Sequence, residues 1–527
     1  MEPSSRRILT WAALALLAGA VRFWGLGAHS LWCDEFLSVA SATGGSLVSP
    51  IAPGAPTFTG EDFWRANTLA GLREAVARQD GGNGVLHAVA LHCWVALFGT
   101  SDASVRALSA LAGVGLVLLA YALARTLWSD GVAVAGTVLL SLHPMLVHYS
   151  REARGYALAT AFALAATCVF VRLGREGDAV RARFDAVAYG LLTAAALLSH
   201  YLVAAIFAGH LVFALWRVRE RRVWKSLAVG WALAVVAVAL WMGMGGAEGL
   251  HRMGARNEMF RRRVEQQTAR RARLPTIPNL AHDLAVIGEH LTGNEVERGA
   301  PLSPADTLLL LVPVVLVAAA WRRKPAAGSG HLLLAILAIA APVQAVVLAL
   351  WAGHTTALIP RYALFSAPYL LLLMAAGLST IASGRGAWRV ATAAAAVVLA
   401  ALWARSLPRV WRDAPQFRPP NAYAEGAARL AAVALPGDVV VHPHWESARL
   451  CALYLPRGAR LVQRVERAED AAPVRLLRDG RSVLELDLPR PCPRGVFEEP
   501  AVSPRSRGPS GPAGPPAPEA PGRAVPP

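Results

Sequence analysis

Residues 6–35 read RRILTWAALALLAGAVRFWGLGAHSLWCDE, and this stretch decides the class of fold. Two arginines precede an apolar run from Ile8 to about Leu26, close to the ~20 residues that a helix needs to cross a bilayer. No small-x-small cleavage site follows the run, so we interpret it as a membrane anchor and not as a signal peptide. Asp34 and Glu35 then lie just outside the apolar slab. Ionisable groups at a membrane face usually mark a functional site, so these two carboxylates are the first candidates.

The composition indicates an integral membrane protein. Of the 527 residues, 55% are hydrophobic and 17% are charged, and the mean hydropathy is +0.41. An ordinary soluble domain does not have this composition. The net charge of +17 is carried mainly by arginines between the apolar runs, where it sets the orientation of the chain and meets anionic headgroups. We therefore expect membrane lipids, and no nucleic acid, as partners of this charge.

Eleven apolar segments are candidate spans. They are residues 8–27, 104–125, 131–149, 155–172, 185–199, 201–217, 225–243, 305–321, 331–351, 359–379 and 387–404. A twelfth stretch, residues 85–98, is short and contains His87 and His92. The short arginine-rich loops obey the positive-inside rule only if residues 85–98 do not cross, so we place this stretch in the outer interface or as a re-entrant helix. This topology puts the N-terminus in the cytoplasm and the C-terminal tail outside it.

The predicted fold is an all-α polytopic membrane protein with about eleven transmembrane helices, interfacial helices and a small soluble α/β appendage at the C-terminus. The predicted regions are a transmembrane domain at 1–404, a first extracytoplasmic loop at 28–103, a basic extracytoplasmic loop at 244–304, a soluble extracytoplasmic region at 405–495 and a disordered proline-rich tail at 496–527. In the soluble region, residues 421–435 have an amphipathic helical pattern. Residues 439–441 and 482–488 have strand patterns.

The same topology brings the polar clusters between the spans to one face of the membrane. They are Asp34, Glu35, Asp80, Arg106, Arg151, Glu152, Arg154, His200, Tyr201, His354, Arg361 and Tyr362. Asp80 precedes the turn-forming stretch Gly81-Gly82-Asn83-Gly84, so it is either a turn residue or a further acidic site residue.

Structural interpretations compete with functional ones at two of these clusters. Arg151, Glu152 and Arg154 are either substrate contacts or an interfacial ion pair. His200-Tyr201 is either part of a site or an aromatic anchor between two spans. The sequence leaves both alternatives open.

Several short segments occur in the order found in GT-C membrane glycosyltransferases. They are Leu31-Trp32-Cys33-Asp34-Glu35, residues 94–106, His143-Pro144, residues 149–156, Ser199-His200-Tyr201 and Pro360-Arg361-Tyr362. Their ordered combination over residues 1 to about 400 resembles the group of protein O-mannosyltransferases and aminoarabinose transferases. One difference is Asn83-Gly84-Val85-Leu86, where the family often has a His-Pro-Pro-Leu type of sequence.

This resemblance implies an inverting glycosyltransferase that moves a sugar from a polyprenyl-phosphate donor to a hydroxyl acceptor on the extracytoplasmic face. Asp34 is then the base that takes the proton of the acceptor hydroxyl, and Glu35 orients the acceptor or the base. Arg106, Arg154 and Arg361 are the candidates for binding the lipid phosphate, because guanidinium groups bind phosphate in a bidentate manner.

The other substrate-binding residues that the resemblance implies are Asp80, Arg151, Glu152, Tyr156, His200, Tyr201 and Tyr362. The acceptor is a protein, a lipid or a cell-wall glycan, and no nucleotide sugar is needed. Some relatives use a divalent metal near the acidic pair, so a metal is a possible cofactor, and the sequence indicates no other. The high Ala, Arg and Gly content is typical of a GC-rich bacterial genome and predicts the inner (plasma) membrane.

A transporter or flippase of lipid-linked sugars, or an inactive membrane scaffold, is the alternative function. Transporters usually have internal repeats, broken helices and charges near the midplane. This sequence shows no repeat, and its polar groups gather at one face, so the pattern favours catalysis.

Overall fold

The computed structural model describes residues 3–43, 68–79, 81–175, 179–266, 273–294, 303–322, 329–384, 386–412, 422–442, 451, 453–455, 461–465, 473–486 and 488. All of them belong to one compact unit formed by residues 1–493. Asp80 and the predicted disordered tail at 496–527 lie outside the described residues.

The first half of the chain consists of helices joined by short turns. They are α1 (Pro3–Phe23), α2 (Cys33–Ala42), α3 (Leu69–Gln79), α4 (Val85–Phe98), α5 (Asp102–Leu127), α6 (Asp130–Leu142), α7 (Pro144–Ser150), α8 (Tyr156–Leu173), α9 (Ala179–Ser199), α10 (Ala204–Arg217) and α11 (Arg221–Trp241). A 3₁₀ turn, Tyr201–Val203, precedes α10, and a π turn, Met242–Gly246, follows α11.

The second half adds further helices and a small sheet. They are α12 (Ala247–Glu265), α13 (Ile277–Thr292), α14 (Pro304–Leu309), α15 (Leu311–Ala320), α16 (Gly330–Ala352), α17 (Pro360–Ala363), α18 (Ala367–Ala382), α19 (Ala387–Arg412), α20 (Ala422–Val433), β1 (Val439–His442), β2 (Val462–Val465), β3 (Val474–Arg478) and β4 (Arg481–Leu486). The region predicted as a basic loop at 244–304 therefore contains two helices, α12 and α13.

The predicted spans are helical in the structure, in one piece or in two. Among the described residues, six helices are long and apolar enough to cross a bilayer: α5, α8, α9, α16, α19 and the run from α11 through α12. α6 and α7 meet the same criterion only when taken together, and they are bent by 60° at His143-Pro144, as in a broken span or a re-entrant loop. The other predicted spans coincide with α1 and with α10, α15 and α18, which are shorter, so the count of eleven stays a prediction. α4 has 14 residues, which is too short to cross alone.

Large apolar side chains cover the outside of the helix bundle. On α11 and α16, for example, Val235, Val236, Leu240, Val347 and Trp351 are all more than half exposed. Water does not favour such a surface, whereas the acyl chains of a bilayer do. α18 runs through the centre of the bundle, where residues 371–376 are all buried. The chain is therefore a multi-pass membrane protein with a packed interior.

The appendage consists of α20 and a four-stranded sheet with the strand order β2-β1-β3-β4. β1 is parallel to β2 and antiparallel to β3, and β3 and β4 form a hairpin. Asp479 and Gly480 make the hairpin turn with φ values of +48° and +77°, the positive values that a tight two-residue turn of this kind requires. α20, β1 and β4 confirm the helix and the two strands that the sequence predicts in this region, whereas β2 and β3 were not predicted.

Candidate active site

The first turn of α2 carries both candidate carboxylates, Asp34 and Glu35. The backbone N–H of Trp32 donates to Oε2 of Glu35 at 3.3 Å and closes the start of the helix. Acidic residues in a first turn are stabilised by the positive end of the helix dipole. Because successive residues of a helix point about 100° apart, the two carboxylates face different surroundings.

Glu35 points inward and forms an ion pair with Arg106 of α5, which we call the closed pair. Nε of Arg106 donates to Oε1 of Glu35 at 2.8 Å, and Nη2 donates to Oε2 at 2.7 Å. The side chains of Arg106 and Glu35 are 3% and 0% exposed. The backbone N–H of Ala153 donates to the same carboxylate at 3.1 Å. This bidentate contact with a third donor compensates charges whose burial is otherwise costly.

Arg106 also organises the chain between α1 and α2. Its guanidinium donates to the backbone carbonyls of Leu26 at 3.0 Å, His29 at 2.7 Å and Ser30 at 3.1 Å. The sequence suggested phosphate binding for Arg106 and orientation of the acceptor or of the base for Glu35. The structure places both side chains away from open space and bonds them to each other and to this loop. We therefore interpret the closed pair as a support for α2, not as a direct contact with a substrate.

Asp34 points outward and forms an ion pair with Arg361 of α17, which we call the open pair. Nη1 of Arg361 donates to Oδ2 of Asp34 at 2.9 Å, and the side chains of Arg361 and Asp34 are 25% and 19% exposed. The guanidinium lies 5.3 Å from the centre of the Tyr362 ring. Nε of Arg361 is buried and has no hydrogen-bond acceptor among the residues that the structure describes. A buried donor of this kind favours the binding of an anion.

A row of rings leads away from the open pair. The rings of Tyr362 and His200 have their centres 6.0 Å apart, and those of His200 and Tyr156 are 4.9 Å apart. Phe365 supports His200 from the other side at 5.3 Å. Tyr156, His200 and Tyr362, which the sequence nominated for substrate binding, therefore lie together.

Arg154 connects this row to α2. Its guanidinium lies 5.8 Å from the centre of the Tyr156 ring. Nη1 donates to the backbone carbonyl of Asp34 and to the hydroxyl of Ser38, at 3.3 Å in each case. Arg154 is thus a cation within reach of the open pair, as the sequence suggested.

A polar pocket opens beside α2, one helical turn beyond Asp34. Its volume is ≈ 380 Å³ when counted out to its mouth. It is lined by Ser38, Ser41, Val76, Asn83, Gly84, His87, Ala88, Arg154, Gly155, Ser199 and His200. Only Arg154 and His200 of this set were predicted to bind a substrate. Ser38 and Ser41 follow Asp34 at the i+4 and i+7 positions of one helical face, so the period of α2 was a signal for both.

Two close approaches shape the walls of the pocket. A Cβ atom on Gly155 would lie 2.5 Å from the carbonyl oxygen of Ser199, so only glycine lets the start of α8 contact the end of α9. On the other wall, the hydroxyl of Tyr201 donates to the carbonyl of Gly82 at 2.6 Å, and its N–H donates to Oδ1 of Asn83 at 2.9 Å. Tyr201 therefore holds the glycine-rich turn and is not among the pocket-lining residues.

Arg151 and Glu152 contact the scaffold. The guanidinium of Arg151 donates to three carbonyls at the end of α1, which a helix leaves without partners of its own. The acceptors are the carbonyls of Arg22, Trp24 and Gly25, at 2.8, 2.5 and 3.2 Å. Glu152 pairs with His148, one turn earlier, at 3.2 Å. These contacts favour the structural alternative for both residues.

An apolar crevice borders the other side of Tyr362. The space between its walls, counted out into the open at its mouth, is ≈ 180 Å³. The crevice lies between the turn that precedes α10 and the middle of α16. It is lined by Leu202, Ala341, Gln344, Ala345, Leu348, Ala357 and Tyr362. Val343 and Val347 of α16, next to the lining residues, are more than half exposed, so the crevice adjoins the lipid-facing surface.

The region predicted as a basic loop, residues 244–304, is bonded to the 3₁₀ turn Thr355–Ala357, which shortly precedes the helix of Arg361. The backbone N–H of Arg273 donates to Oγ1 of Thr355 at 3.2 Å, and the N–H of Thr355 donates to the carbonyl of Arg273 at 3.0 Å. Arg273 also pairs with Asp283 of α13. Burial lowers the pKa of the neighbouring His354, which keeps this side chain uncharged near neutral pH.

The described side chains do not form a metal site. No group of three or more His, Cys, Asp or Glu comes together among them. Oδ2 of Asp34 faces the Arg361 guanidinium, and both oxygens of Glu35 face Arg106, so the acidic pair does not offer the cluster of oxygen ligands that a divalent cation prefers. The predicted site residue Asp80 lies outside the described residues.

Comparisons with known proteins support the membrane-enzyme fold. Residues 83–243 match a family model described as dolichyl-phosphate-mannose-protein mannosyltransferase. No curated protein sequence matches the chain. Among solved structures, ArnT from Cupriavidus metallidurans bound to undecaprenyl phosphate is similar with a TM-score of 0.51 and 16% identity, and the match covers 88% of this chain and 86% of that chain.

The apo form of the same ArnT is similar over the same shares of both chains, with a TM-score of 0.52 and 15% identity. At such low identity the two structures share a fold. The chain is therefore a multi-pass membrane protein with the GT-C fold, and its residues 83–243 resemble the dolichyl-phosphate-mannose-protein mannosyltransferase family.

Proposed function

We propose that the chain is an inverting glycosyltransferase that moves a sugar from a polyprenyl-phosphate donor to a hydroxyl acceptor on a protein, a lipid or a cell-wall glycan. The open pair carries this proposal, because it places a partly exposed carboxylate beside a guanidinium whose buried Nε has no acceptor among the described residues, and Arg154, which bonds to the backbone of Asp34, lines the polar pocket. The matched family is named for a dolichyl-phosphate sugar, and ArnT binds undecaprenyl phosphate. Both are polyprenyl phosphates.

The site then faces the outside of a bacterial inner membrane, with the N-terminus in the cytoplasm and the appendage outside. α8 begins at Tyr156 in the site and ends beside Arg172, and α9 begins near Arg181 and Arg183 and ends at Ser199 in the pocket. Arg172, Arg181 and Arg183 therefore lie at the ends of these helices that are remote from the site. The positive-inside rule assigns those ends to the cytoplasm.

Asp34 is the base in this reaction. The acceptor oxygen attacks the anomeric carbon, and its proton passes to Oδ1 of Asp34, since Oδ2 is held by Arg361. The bond between the anomeric carbon and the phosphate oxygen breaks at the same time. Its electron pair remains on the phosphate, and attack from the side opposite to the leaving group inverts the anomeric centre.

Arg361 binds the donor phosphate and stabilises the charge that develops on it. Its unpartnered Nε and its position beside Asp34 fit an anion that leaves as the base takes the proton. Arg154 supplies a second cation on the pocket side of Asp34. The polyprenyl chain lies in the apolar crevice beyond Tyr362, which adjoins the lipid-facing surface. The sugar and the acceptor hydroxyl then meet at the mouth of the polar pocket.

We propose that these arginines, and no metal ion, neutralise the leaving group. The support is the donor set, in which the side chain of Arg361 occupies the position beside Asp34 that a cation would need. Asp80 is the residue that would have to join Asp34 if a metal were required.

The test is transfer by purified protein in nanodiscs, with undecaprenyl-phosphate-linked sugar as donor and a bacterial envelope extract as acceptor, followed by mass spectrometry. Asp34→Asn removes the base and should lower the transfer rate by about 10²–10⁴-fold. Asp130→Asn is the matched control, because Asp130 also pairs with an arginine from the first turn of a helix but lies outside the site.

The outcomes separate the alternatives. Normal transfer by Asp34→Asn would contradict the role of Asp34 as base. If the wild-type protein forms no product but moves the donor across a liposome membrane, it is a flippase. If it does neither, the scaffold alternative is correct.

A further inference from the structure

The appendage and the start of α2 share one hydrophobic core. From the membrane domain this core takes Leu31, Phe36, Val39, Ala40, Ala42, Leu91, Val95, Val105 and Ala153. From the appendage it takes Tyr423, Ala427, Leu430, Val440, Cys451, Leu453, Leu455, Leu461, Val474, Leu476 and Leu486. Phe36 and Val105 are the chain neighbours of Glu35 and Arg106, so the shared core includes a neighbour of each member of the closed pair. The appendage is thus continuous with the part of the membrane domain that carries Asp34.

One polar side chain of the appendage reaches into this junction. The hydroxyl of Tyr454 donates to Oδ1 of Asp102 at 2.8 Å and accepts from the backbone N–H of Leu31 at 2.8 Å. Burial, followed by the nearby Asp102 carboxylate, raises the pKa of Tyr454 well above its usual value. The hydroxyl of Tyr454 therefore keeps its proton at neutral pH.

Both partners of Tyr454 lead to the acidic pair. Asp102 lies in the first turn of α5, four residues before Arg106, which binds Glu35. Arg106 also binds the backbone carbonyls of Leu26, His29 and Ser30. Leu31 comes directly after these residues in the chain and precedes the helix that carries Asp34. A single hydroxyl thus fixes the two chain segments whose relative placement sets the position of Asp34.

We propose that Tyr454 is a positioning residue for the transfer reaction, and that the appendage is a structural part of the active site. Tyr454 does not contact the reacting atoms. It acts through Leu31 and Asp102 to hold the first turn of α2, so that the carboxylate of Asp34 stays beside Arg361. The effect on catalysis rests on the proposed function, whereas the effect on the position of α2 does not.

The first experiment measures that position without relying on activity. Hydrogen exchange is followed at the amides of residues 31–37 in the full-length protein in nanodiscs. Tyr454→Phe keeps the ring in the shared core and removes both hydrogen bonds, so we expect exchange at Leu31 to be about tenfold faster, the equivalent of one hydrogen bond lost from a local structure.

The matched control is Asp438→Asn. Asp438 accepts hydrogen bonds inside the appendage, from Nε and Nη2 of Arg478 at 3.0 and 2.9 Å and from the N–H of Leu435 at 2.9 Å. The Asp438→Asn substitution weakens contacts within the appendage and does not touch Leu31 or Asp102. Hydrogen exchange at residues 31–37 should therefore stay at the wild-type rate. Unchanged exchange in Tyr454→Phe, or equal acceleration in both variants, would overturn the proposal.

The second experiment measures transfer. With a positioning role, Tyr454→Phe lowers kcat about tenfold and leaves the KM for undecaprenyl-phosphate-linked sugar nearly unchanged, because misplacement of a base affects the chemical step. Asp102→Ala should have the same effect, and the double variant should be no worse than either single one. Asp102→Asn keeps an acceptor for the hydroxyl and should retain most of the wild-type kcat.

The two experiments fail in different ways. Faster exchange at Leu31 in Tyr454→Phe, in a protein whose wild type transfers no sugar, would support the effect of Tyr454 on the position of α2 and contradict the proposed function. Normal exchange and normal kcat in Tyr454→Phe, in a wild-type protein that is active, would remove the positioning role and keep the proposed function. Additive losses in the double variant would also contradict the coupling through Tyr454 and Asp102.

Discussion

Asp34 and Glu35 are neighbours in the chain, and each binds an arginine from a distant helix, yet the two ion pairs have different surroundings. In the closed pair, the side chain of Glu35 is 0% exposed and Arg106 holds both of its oxygens. In the open pair, the side chains are 25% and 19% exposed, and the buried Nε of Arg361 has no acceptor among the described residues.

The difference teaches which carboxylate is available for chemistry. A carboxylate whose oxygens are all bonded to a buried cation is a poor base, whereas one at the edge of a pocket can exchange a proton with a substrate. The closed pair holds α2 in place, and the open pair is partly exposed. The following predictions test this division, from the largest expected effect to the smallest.

Arg106→Ala should reduce the stability of the whole protein. It leaves the Glu35 carboxylate buried and without its cation, which typically costs about 3–5 kcal/mol in the free energy of unfolding. Thermal unfolding in detergent and the yield of folded protein measure the effect. Arg125→Ala, which breaks an exposed pair with Asp130, is the control and should cost less than about 1 kcal/mol. A wild-type melting temperature for Arg106→Ala would show that the closed pair is not structural.

Arg361→Ala should leave the fold intact and lower transfer about 10²–10³-fold, because it removes the donor that meets the charge of the leaving phosphate. Arg361→Lys should recover only part of this loss, since an ammonium group keeps the charge but not the fork of donors. Steady-state kinetics with the lipid-linked donor measure both variants. A loss of stability as large as that of Arg106→Ala would mean that both pairs are structural and that the comparison fails.

Arg154→Met should reduce transfer about tenfold, because it removes the hydrogen bonds to Asp34 and Ser38 while an unbranched chain of similar length remains. The relevant measurement is kcat together with the KM for the acceptor. Arg151→Met is the informative contrast, since Arg151 binds the end of α1. It should lower the melting temperature more than the activity of the folded fraction.

Chelation of divalent metals should not change the transfer rate, because Arg361 takes the place beside Asp34 that a cation would occupy. The measurement is the initial rate of EDTA-treated protein, with and without added Mg²⁺ or Mn²⁺. Loss of activity that returns with one of these ions would assign the charge-neutralising role to a metal, with Asp80 as the first residue to test.

A third ion pair, Asp438–Arg478 in the appendage, should have the smallest effect of the three on stability. The hydrogen bond from Arg478 lowers the pKa of Asp438, so the pair stabilises the fold above the ordinary pKa of an aspartate and loses this effect as the pH falls through the lowered value. Asp438→Asn should therefore lower the melting temperature slightly at neutral pH, and the difference from wild type should shrink under acidic conditions. A difference that grows on acidification would contradict the direction of the shift.

The sequence predicted the fold class because composition and apolar periodicity are local properties. Each predicted span is helical, whereas the placement of residues 85–98 outside the bilayer core, which rests on the charge pattern, stays a prediction. The appendage was predicted less completely. The Asp479-Gly480 turn between β3 and β4 is a strong local hairpin signal that would have identified β3. β2 has only four residues, and it pairs with β1 although residues 443–461 separate the two strands in the chain. No local sequence pattern therefore marked it.

The sequence predicted the members of a candidate site, and that set stays a prediction. The structure brings six of them together: Asp34, Arg154, Tyr156, His200, Arg361 and Tyr362. Arg106 and Arg361 cannot be distinguished from the sequence, because both are arginines near the outer end of a span. Their roles differ because Arg106 is enclosed by carbonyls and a carboxylate, whereas Arg361 borders open space.

The sequence by itself determined that this chain is a membrane protein built from apolar helices, and it predicts which polar residues lie at one face, since these properties depend on hydrophobicity and charge along the chain. Only the tertiary structure decided that Asp34 and not Glu35 is partly exposed, that His87 lines the pocket, and that Tyr454 reaches Leu31 from a part of the chain more than 400 residues away. The reason is that the exposure and hydrogen-bond partners of a side chain are set by contacts between helices, and no local pattern contains them.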